Sequence, residues 1–333
     1  MHPRVVLPRR LADFDRRGFR TDRPAARAVL ERAASSFLDG FNLAARSSNL
    51  AELQARLAEL QADVRGFGYE GAGMHAALAD LSRPWLAPPH RAVSGLADGP
   101  GQVYDYLIAV GAGWPLALLR SARVLRLPST PLLRWLAVDG AAFGAVFFGG
   151  ERTFRRICAA PTGPLWRTRV AGAGRALWFC QSADVAGVAR LIAEQPAAAA
   201  PELWAGIGLA CAYAGPSETA DRDALRDAAG GQLAWLRQGV VFGSAARARA
   251  GIVPPHTAAA CRDLVGIDPA AAAGWAAEAA TGLLQRSDVA AYDRWRDRLI
   301  ERAAPAGTAV PVAGPVVPSG PVVPAGHPNQ DVA

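Results

Sequence analysis

Lysine is absent, and all 36 basic residues are arginine. That excludes Schiff-base and pyridoxal chemistry on a lysine, a phosphate-loop lysine and a lysine general base. Histidine is scarce: His2, His75, His90, His256 and His327 include no pair at ligand spacing. Acidic clusters of the aspartate-rich, magnesium-binding kind are missing too, so no metal is expected and metal-dependent ionisation of a diphosphate is disfavoured. Cys158, Cys180, Cys211 and Cys261 stand far apart without CxxC or Cys/His spacing. They read as thiols of a reduced, cytoplasmic protein, acting as small hydrophobes. Ser94, Ser217 and Ser244 lack the GxSxG frame of a hydrolase elbow. The uncharged stretch Tyr106 to Leu119 has 14 residues and contains Pro115, too few to span a bilayer. Met1 to Arg20 shows no apolar run of a secretory signal. The expectation is a protein without a transmembrane segment.

What the chain does have is 333 residues that are 51% hydrophobic and 20% charged, enough for a sizeable core. The net charge of +7 is dispersed, with arginines alternating with acids as in Arg294-Trp295-Arg296-Asp297-Arg298. A solvated helical face explains that pattern, and nucleic-acid binding is not expected.

Helix signals dominate. Ser47, Ser48 and Asn49 precede a run with Leu50, Leu53, Leu57 and Leu60 on one face; Thr130-Pro131, Ser182, Asp268-Pro269 and Ser287-Asp288 mark further starts. Short strands are expected at Val103–Val110, Leu177–Gln181 and Gln238–Phe242. The reading is a mainly α protein with a single large helical domain over 35–303 and a few short strands. An N-terminal arm (1–34) precedes it and a Pro/Gly-rich, unstructured tail (304–333) follows. A faint duplication aligns Gly111–Arg134 with Gly239–Arg262 without a gap, suggesting similar halves, 35–150 and 173–285, with a cleft between them.

Gly66-Phe67-Gly68-Tyr69-Glu70-Gly71 matches G-x-G-x-x-G literally, but a helix precedes it and Glu70 would face a pyrophosphate. Ile108 to Gly113 is a closer mimic, yet Leu116 stands where a small residue is needed. Close helix packing explains both clusters, and no cofactor is expected. Isolated polar residues within apolar, small-residue segments are the candidates for chemistry. Glu70, Asp139, Tyr69 and Asp105 are the catalytic candidates, since a carboxyl in such surroundings has a raised pKa suited to a general acid. Tyr104, Trp114, Trp135, Trp178, Trp204, His75 and His256 are the substrate-binding candidates, with Trp85, Trp166 and Trp235 as further aromatic wall. Asp184 and Arg262 complete the isolated polar set. Glu70 and His75 lie about 140° apart round a helix and are expected to diverge.

The segments RGFGYEGAGM (Arg65–Met74), VYDYLIAVGAGWPLALL (Val103–Leu119), LRWLAVDGAAF (Leu133–Phe143), ALWFCQSADV (Ala176–Val185), LWAGIGLACAYAG (Leu203–Gly215) and PPHTAAAC (Pro254–Cys261) resemble the UnbL-type proteins of enediyne gene clusters. That family is classed as a domain of unknown function, and the likeness runs from about residue 10 to about residue 265. Gly68 and Gly73, where alanine is expected, and the Pro-rich tail depart from it. The resemblance implies a place in natural-product biosynthesis beside an iterative polyketide synthase or other pathway enzymes; it supplies no reaction and no catalytic residues.

The expected function is a cyclase or isomerase without metal or redox cofactor. It would act by acid–base chemistry on a long, apolar, polyunsaturated small molecule, a polyene polyketide or a terpenoid. Tyr69 and Tyr104 would steady developing charge, and tryptophan faces cationic character. The alternatives are a carrier for a reactive polyene and a scaffold within a biosynthetic complex.

Overall fold

A computed structural model describes residues 5–82, 91–119, 131–159 and 163–305, and these form a mainly helical domain with no strands among them. Chain order runs α1 (Phe14–Arg17), α2 (Pro24–Arg46), α3 (Leu50–Ala58), α4 (Arg65–Leu81), α5 (Arg91–Ala97), α6 (Asp105–Leu119), α7 (Leu136–Cys158) and α8 (Trp166–Cys180). It continues through α9 (Val185–Ala193), α10 (Ala200–Ala214), α11 (Thr219–Ala229), α12 (Leu233–Arg249), α13 (Pro255–Ala260), α14 (Pro269–Ala279) and α15 (Val289–Ala303). Side-chain caps set several starts: Asn49 accepts from Glu52 N–H, Asp268 from Ala271 N–H and Asp288 from Ala291 N–H. The helix after Ser182 is capped by Asp184, which accepts from Gly187 N–H at 2.7 Å. Ser182 instead ties its hydroxyl to the Arg20 carbonyl at 2.5 Å. Thr130, Trp85, His90 and nearly all of the Pro-rich tail lie outside the described residues.

The expected strands are helical. Val103–Val110 runs from a 3-10 turn (Gly99–Tyr104) into α6, Leu177–Gln181 ends α8, and Gln238–Phe242 lies inside α12. These helices are enclosed on almost every side, so their sequences show unbroken apolar runs rather than a one-sided stripe.

Glycine organises the packing. The row α2, α4, α6, α7, α8, α10, α12 packs each helix on the next. One contact recurs along it. A β-carbon at Gly71 would lie 1.8 Å from the carbonyl oxygen of Phe37 in the preceding helix, and one at Gly111 1.9 Å from that of Glu70. Gly140, Gly172, Gly206 and Gly239 sit likewise on the carbonyls of Val110, Asp139, Ala171 and Ala205. From Gly111 to Gly239 each of those carbonyls belongs to the residue just before the previous helix's own glycine. A reciprocal set comes two residues later: Gly73, Gly113, Gly174 and Gly208 meet the carbonyls of Ile108, Ala137, Leu203 and Leu236 in the following helix. Only a residue without a β-carbon admits such an approach. Gly239 seats against Ala205 and Leu209, and Gly243 against Leu209 and Tyr213, so α10 and α12 run in the same direction. The intervening α11 carries the chain back between them.

These anchor glycines recur at intervals of 29 to 40 residues. The gapless alignment of Gly111 with Gly239 therefore spans four steps of a shorter helical repeat. Between Gly140 and Gly172, α7 is kinked at Gly150, whose φ of 63° lies in the left-handed region.

The row curls until α10 touches α2, and its concave side becomes the interior. The residue before each anchor glycine falls on the inner stripe: Glu70, Val110, Asp139, Ala171, Ala205 and Gln238 all line the central cavities. Residues three and seven after the glycine follow them there from Gly140 onward, among them Phe143 and Phe147, Arg175 and Phe179, and Leu209 and Tyr213. Pro131–Cys158 contains the one helix among the described residues long and apolar enough to cross a membrane, and 61% of its most apolar window is buried in the fold. That helix supplies Asp139, Phe143 and Phe147 to the inner wall, as a core helix does.

Candidate functional site

Two adjoining cavities occupy the centre of the helical ring and share Arg175, Leu209 and Tyr213. The first is walled by Phe37, Phe67, Trp114, Phe143, Phe147, Phe148 and Phe179, with Glu70 and Arg175 as its charged groups. The second is walled from α6, α7, α8, α10, α12 and α15, and holds Asp139, Arg175, Gln238, Tyr292 and Arg296. Both are narrow, with free space on the order of a few water molecules.

Glu70 is carried by α4 at the inner position before Gly71 and is 4% exposed. Its Oε1 accepts from the indole Nε1 of Trp114 at 3.1 Å. Burial lifts the carboxyl to about 7, against the opposing pulls of Arg175 and the Trp114 hydrogen bond, with Asp139 adding a small upward push. Trp114 is held against Phe37 at 4.3 Å between ring centroids and against Phe143 at 5.3 Å. The indole donor is thus fixed on the carboxyl by packing on both sides. A proton donor poised near neutrality faces an aromatic, water-poor space.

Arg175 stands between the cavities. Its guanidinium lies 4.9 Å from the Phe143 ring centroid, and Nη2 is 2.6 Å from Asp139 Oδ1. That contact is a buried ion pair, and Arg175 Nε has no hydrogen-bond partner among the described residues. Burial raises the Asp139 pKa, while Arg175 and Arg296 draw it back down. Asp139 is therefore the counter-ion of Arg175, and Glu70 is the carboxyl without a full ion pair.

Behind the second cavity lies a buried ionic network. Glu202 on α10 binds Arg296 of α15 and, at 2.7 Å, Arg167 of α8; Arg167 also reaches Asp297 at 2.8 Å. Burial alone would raise Glu202, but the paired guanidiniums Arg296 and Arg167 hold it below the usual carboxylate range. The network fixes α15 across the end of the ring.

The structure brings Glu70, Trp114 and Asp139 to this interior and places the other sequence candidates elsewhere. Tyr69 stacks on Tyr104 at 4.3 Å within a separate apolar cluster on the outer side of α4. Asp105 at the start of α6 binds Arg249 of α12 through both oxygens, at 3.1 and 2.8 Å. His75 diverges from Glu70, as its helical spacing requires, and packs edge-on against Phe41 beside an outer groove. His256 lies against Gly215 with Nε2 3.4 Å from the Tyr213 carbonyl oxygen. Burial and the neighbouring Arg247 push it down to about 4. Trp178 donates to Gly215 O at 2.8 Å and Trp166 to Ile157 O at 3.2 Å, joining secondary elements. Trp204 is buried in the main core, Trp235 in a small cluster with Ile300, and Trp135 precedes α7 with its Nε1 buried and without a hydrogen-bond partner among the described residues. Asp184 is the cap of α9, and Arg262 pairs with the adjacent Asp263.

Sequence reasoning passed over Arg175, Gln238, Tyr213 and Arg296. A signal for the first two exists: Gln238 stands before an anchor glycine as Glu70 and Asp139 do, and Arg175 follows Gly172 by three. No group of three or more His, Cys, Asp or Glu side chains able to hold a metal occurs among the described residues.

Comparison with known proteins gives a family and no activity. Residues 4–303 match the family described as protein of unknown function (DUF1702), and the chain belongs to that family. No curated protein and no solved structure matches it.

Proposed function

We propose that this member of a family of unknown function is a cyclase or isomerase of natural-product biosynthesis, in which Glu70 delivers or removes a proton on an apolar, polyunsaturated chain. The observation that carries the reading is a single buried carboxyl with a pKa near 7, bonded to Trp114 inside an aromatic cavity. A general acid works best when its pKa lies near the working pH, and burial supplies that shift here. Protonation of an alkene generates positive charge, which aromatic faces stabilise at close range. Phe37, Phe143, Phe147 and Trp114 present such faces around Glu70. Arg175 limits how much negative charge Glu70 can leave unmatched after transfer, and Asp139 holds Arg175 in place.

The resemblance to enediyne-cluster proteins supports a polyene polyketide as the substrate, supplied by an iterative polyketide synthase. The narrow cavity requires side chains to move before such a chain enters. A carrier for the same polyene would need the aromatic lining alone; the poised carboxyl favours chemistry.

The test is metabolite profiling of the native producer carrying Glu70→Gln or Glu70→Asp in place of the wild-type gene, beside a deletion. A folded Glu70→Gln protein that accumulates the deletion strain's precursor supports proton transfer by Glu70, with partial rescue expected from Glu70→Asp. Normal product from Glu70→Gln overturns it and leaves the carrier.

A further inference from the structure

We infer that the second cavity binds a carbonyl oxygen of the substrate, so that the ligand is an apolar chain bearing a keto or acyl group rather than a pure hydrocarbon. The inference rests on the proposed reading that the unsaturated chain lies in the first cavity. Three side chains that line the second cavity each present a hydrogen-bonding atom with no hydrogen-bond partner among the described residues: Arg175 Nε, Gln238 Oε1 and Arg296 Nη1, the last 3.9 Å from Asp293 Oδ1, while Asp139 Oδ1 and Arg175 Nη2 face each other at 2.6 Å. All three side chains are more than nine-tenths buried. Buried polar atoms are almost always satisfied in folded proteins, and leaving one unpaired costs about 1–3 kcal/mol. Their gathering around one space points to a ligand that completes them.

The charges say what kind of ligand. Arg175 is already matched by Asp139, and Arg296 by Glu202, which also meets Arg167. What is open is hydrogen-bonding capacity, chiefly guanidinium N–H, and not net positive charge. A phosphate or diphosphate would bring charge with no counterpart at the site. A neutral carbonyl oxygen accepts from Arg175 and Arg296 at no such cost, and the Gln238 amide can turn to present its NH2 group to the same oxygen. Arg175 reaches both cavities, so a carbonyl held in the second would place its attached chain beside Glu70 in the first. Position along the chain would then be measured from the carbonyl, selecting which double bond meets the acid.

The experiment is displacement of the fluorescent polyene diphenylhexatriene from the full-length protein, followed by energy transfer from tryptophan. The competitors are a long-chain methyl ketone and the alkane of equal length. The ketone is expected to compete at about tenfold lower concentration, the worth of one hydrogen bond to a charged donor. Gln238→Leu and Arg175→Met are expected to shrink the preference to about threefold or less, and Gln238→Leu, which lies outside the first cavity, is expected to leave alkane competition unchanged. Glu70→Gln is expected to keep the preference, so this result stands apart from the product analysis that tests Glu70. Should Arg175→Met not fold, Gln238→Leu carries the comparison alone. Equal competition by ketone and alkane, a preference that survives in the folded variants, or no displacement by either competitor overturns the inference and leaves a water-filled cavity.

Discussion

The indole of Trp114 on α6 donates to the Glu70 carboxyl on α4 across 3.1 Å, joining neighbouring helices inside the ring. The same two helices touch where Gly111 rests on the Glu70 carbonyl. Backbone contact and side-chain bond therefore fix the same residue.

The raised pKa of Glu70 gives stability a pH dependence. From an unfolded value of 4.5 to a folded value of about 7, the folded chain keeps a proton that the unfolded chain has released. Stability therefore falls as pH rises through that window and is level above it, by about 3 kcal/mol in all. Thermal melts at pH 5 and pH 8 should show wild type losing more stability than Glu70→Gln between the two. Equal pH slopes for the two proteins would remove the perturbed carboxyl from the account.

The anchor glycines should not accept a methyl group. Gly111→Ala puts a β-carbon 1.9 Å from a backbone oxygen, so α4 and α6 must part. A loss of about 3 kcal/mol or more is expected from overpacking. Gly274 lies in α14 with nothing among the described residues within 4 Å of its would-be β-carbon, and Gly274→Ala should be neutral or stabilising by up to about 1 kcal/mol. Denaturant melts of both variants check the pair.

Asp139 and Arg175 should behave as a unit. Asp139→Asn leaves Arg175 uncompensated in the interior and is expected to cost about 3–5 kcal/mol. The double variant Asp139→Leu with Arg175→Met should recover much of that loss, because neither charge is then buried alone. Additive losses in the double-mutant cycle would show that the pair is not coupled.

His256 should stay neutral through the physiological range. Its folded pKa of about 4 lies below the unfolded 6.5, so its contribution to stability is complete above 6.5 and declines as pH falls toward 4. An imidazole resonance that shifts between pH 6 and pH 8 in the folded protein would contradict the burial described here.

Particular residues show how far the sequence reached. Asn49, Asp268 and Asp288 announce their helices because a cap is a local bond between residues three apart. Glu70 and Asp139 stood out because a carboxyl within a small-residue run is unusual at any fold. Val103–Val110 misread as a strand because total enclosure erases the one-sided pattern by which a helix declares itself. Tyr69 and Asp105 looked as promising as Glu70, and only packing turned the first to an outer cluster and the second to Arg249.

The sequence by itself determined a helical chain, its principal caps, its small-residue helices and the presence of lone acids within them. All of these depend on neighbours within a turn or two of helix. The tertiary structure decided that Glu70, Trp114, Asp139 and Arg175, from four different helices, converge on one interior. That convergence depends on the rotation of each helix against the next. Rotation is set where a glycine on one meets a carbonyl on another, a contact between residues 24 or more positions apart that no local pattern encodes.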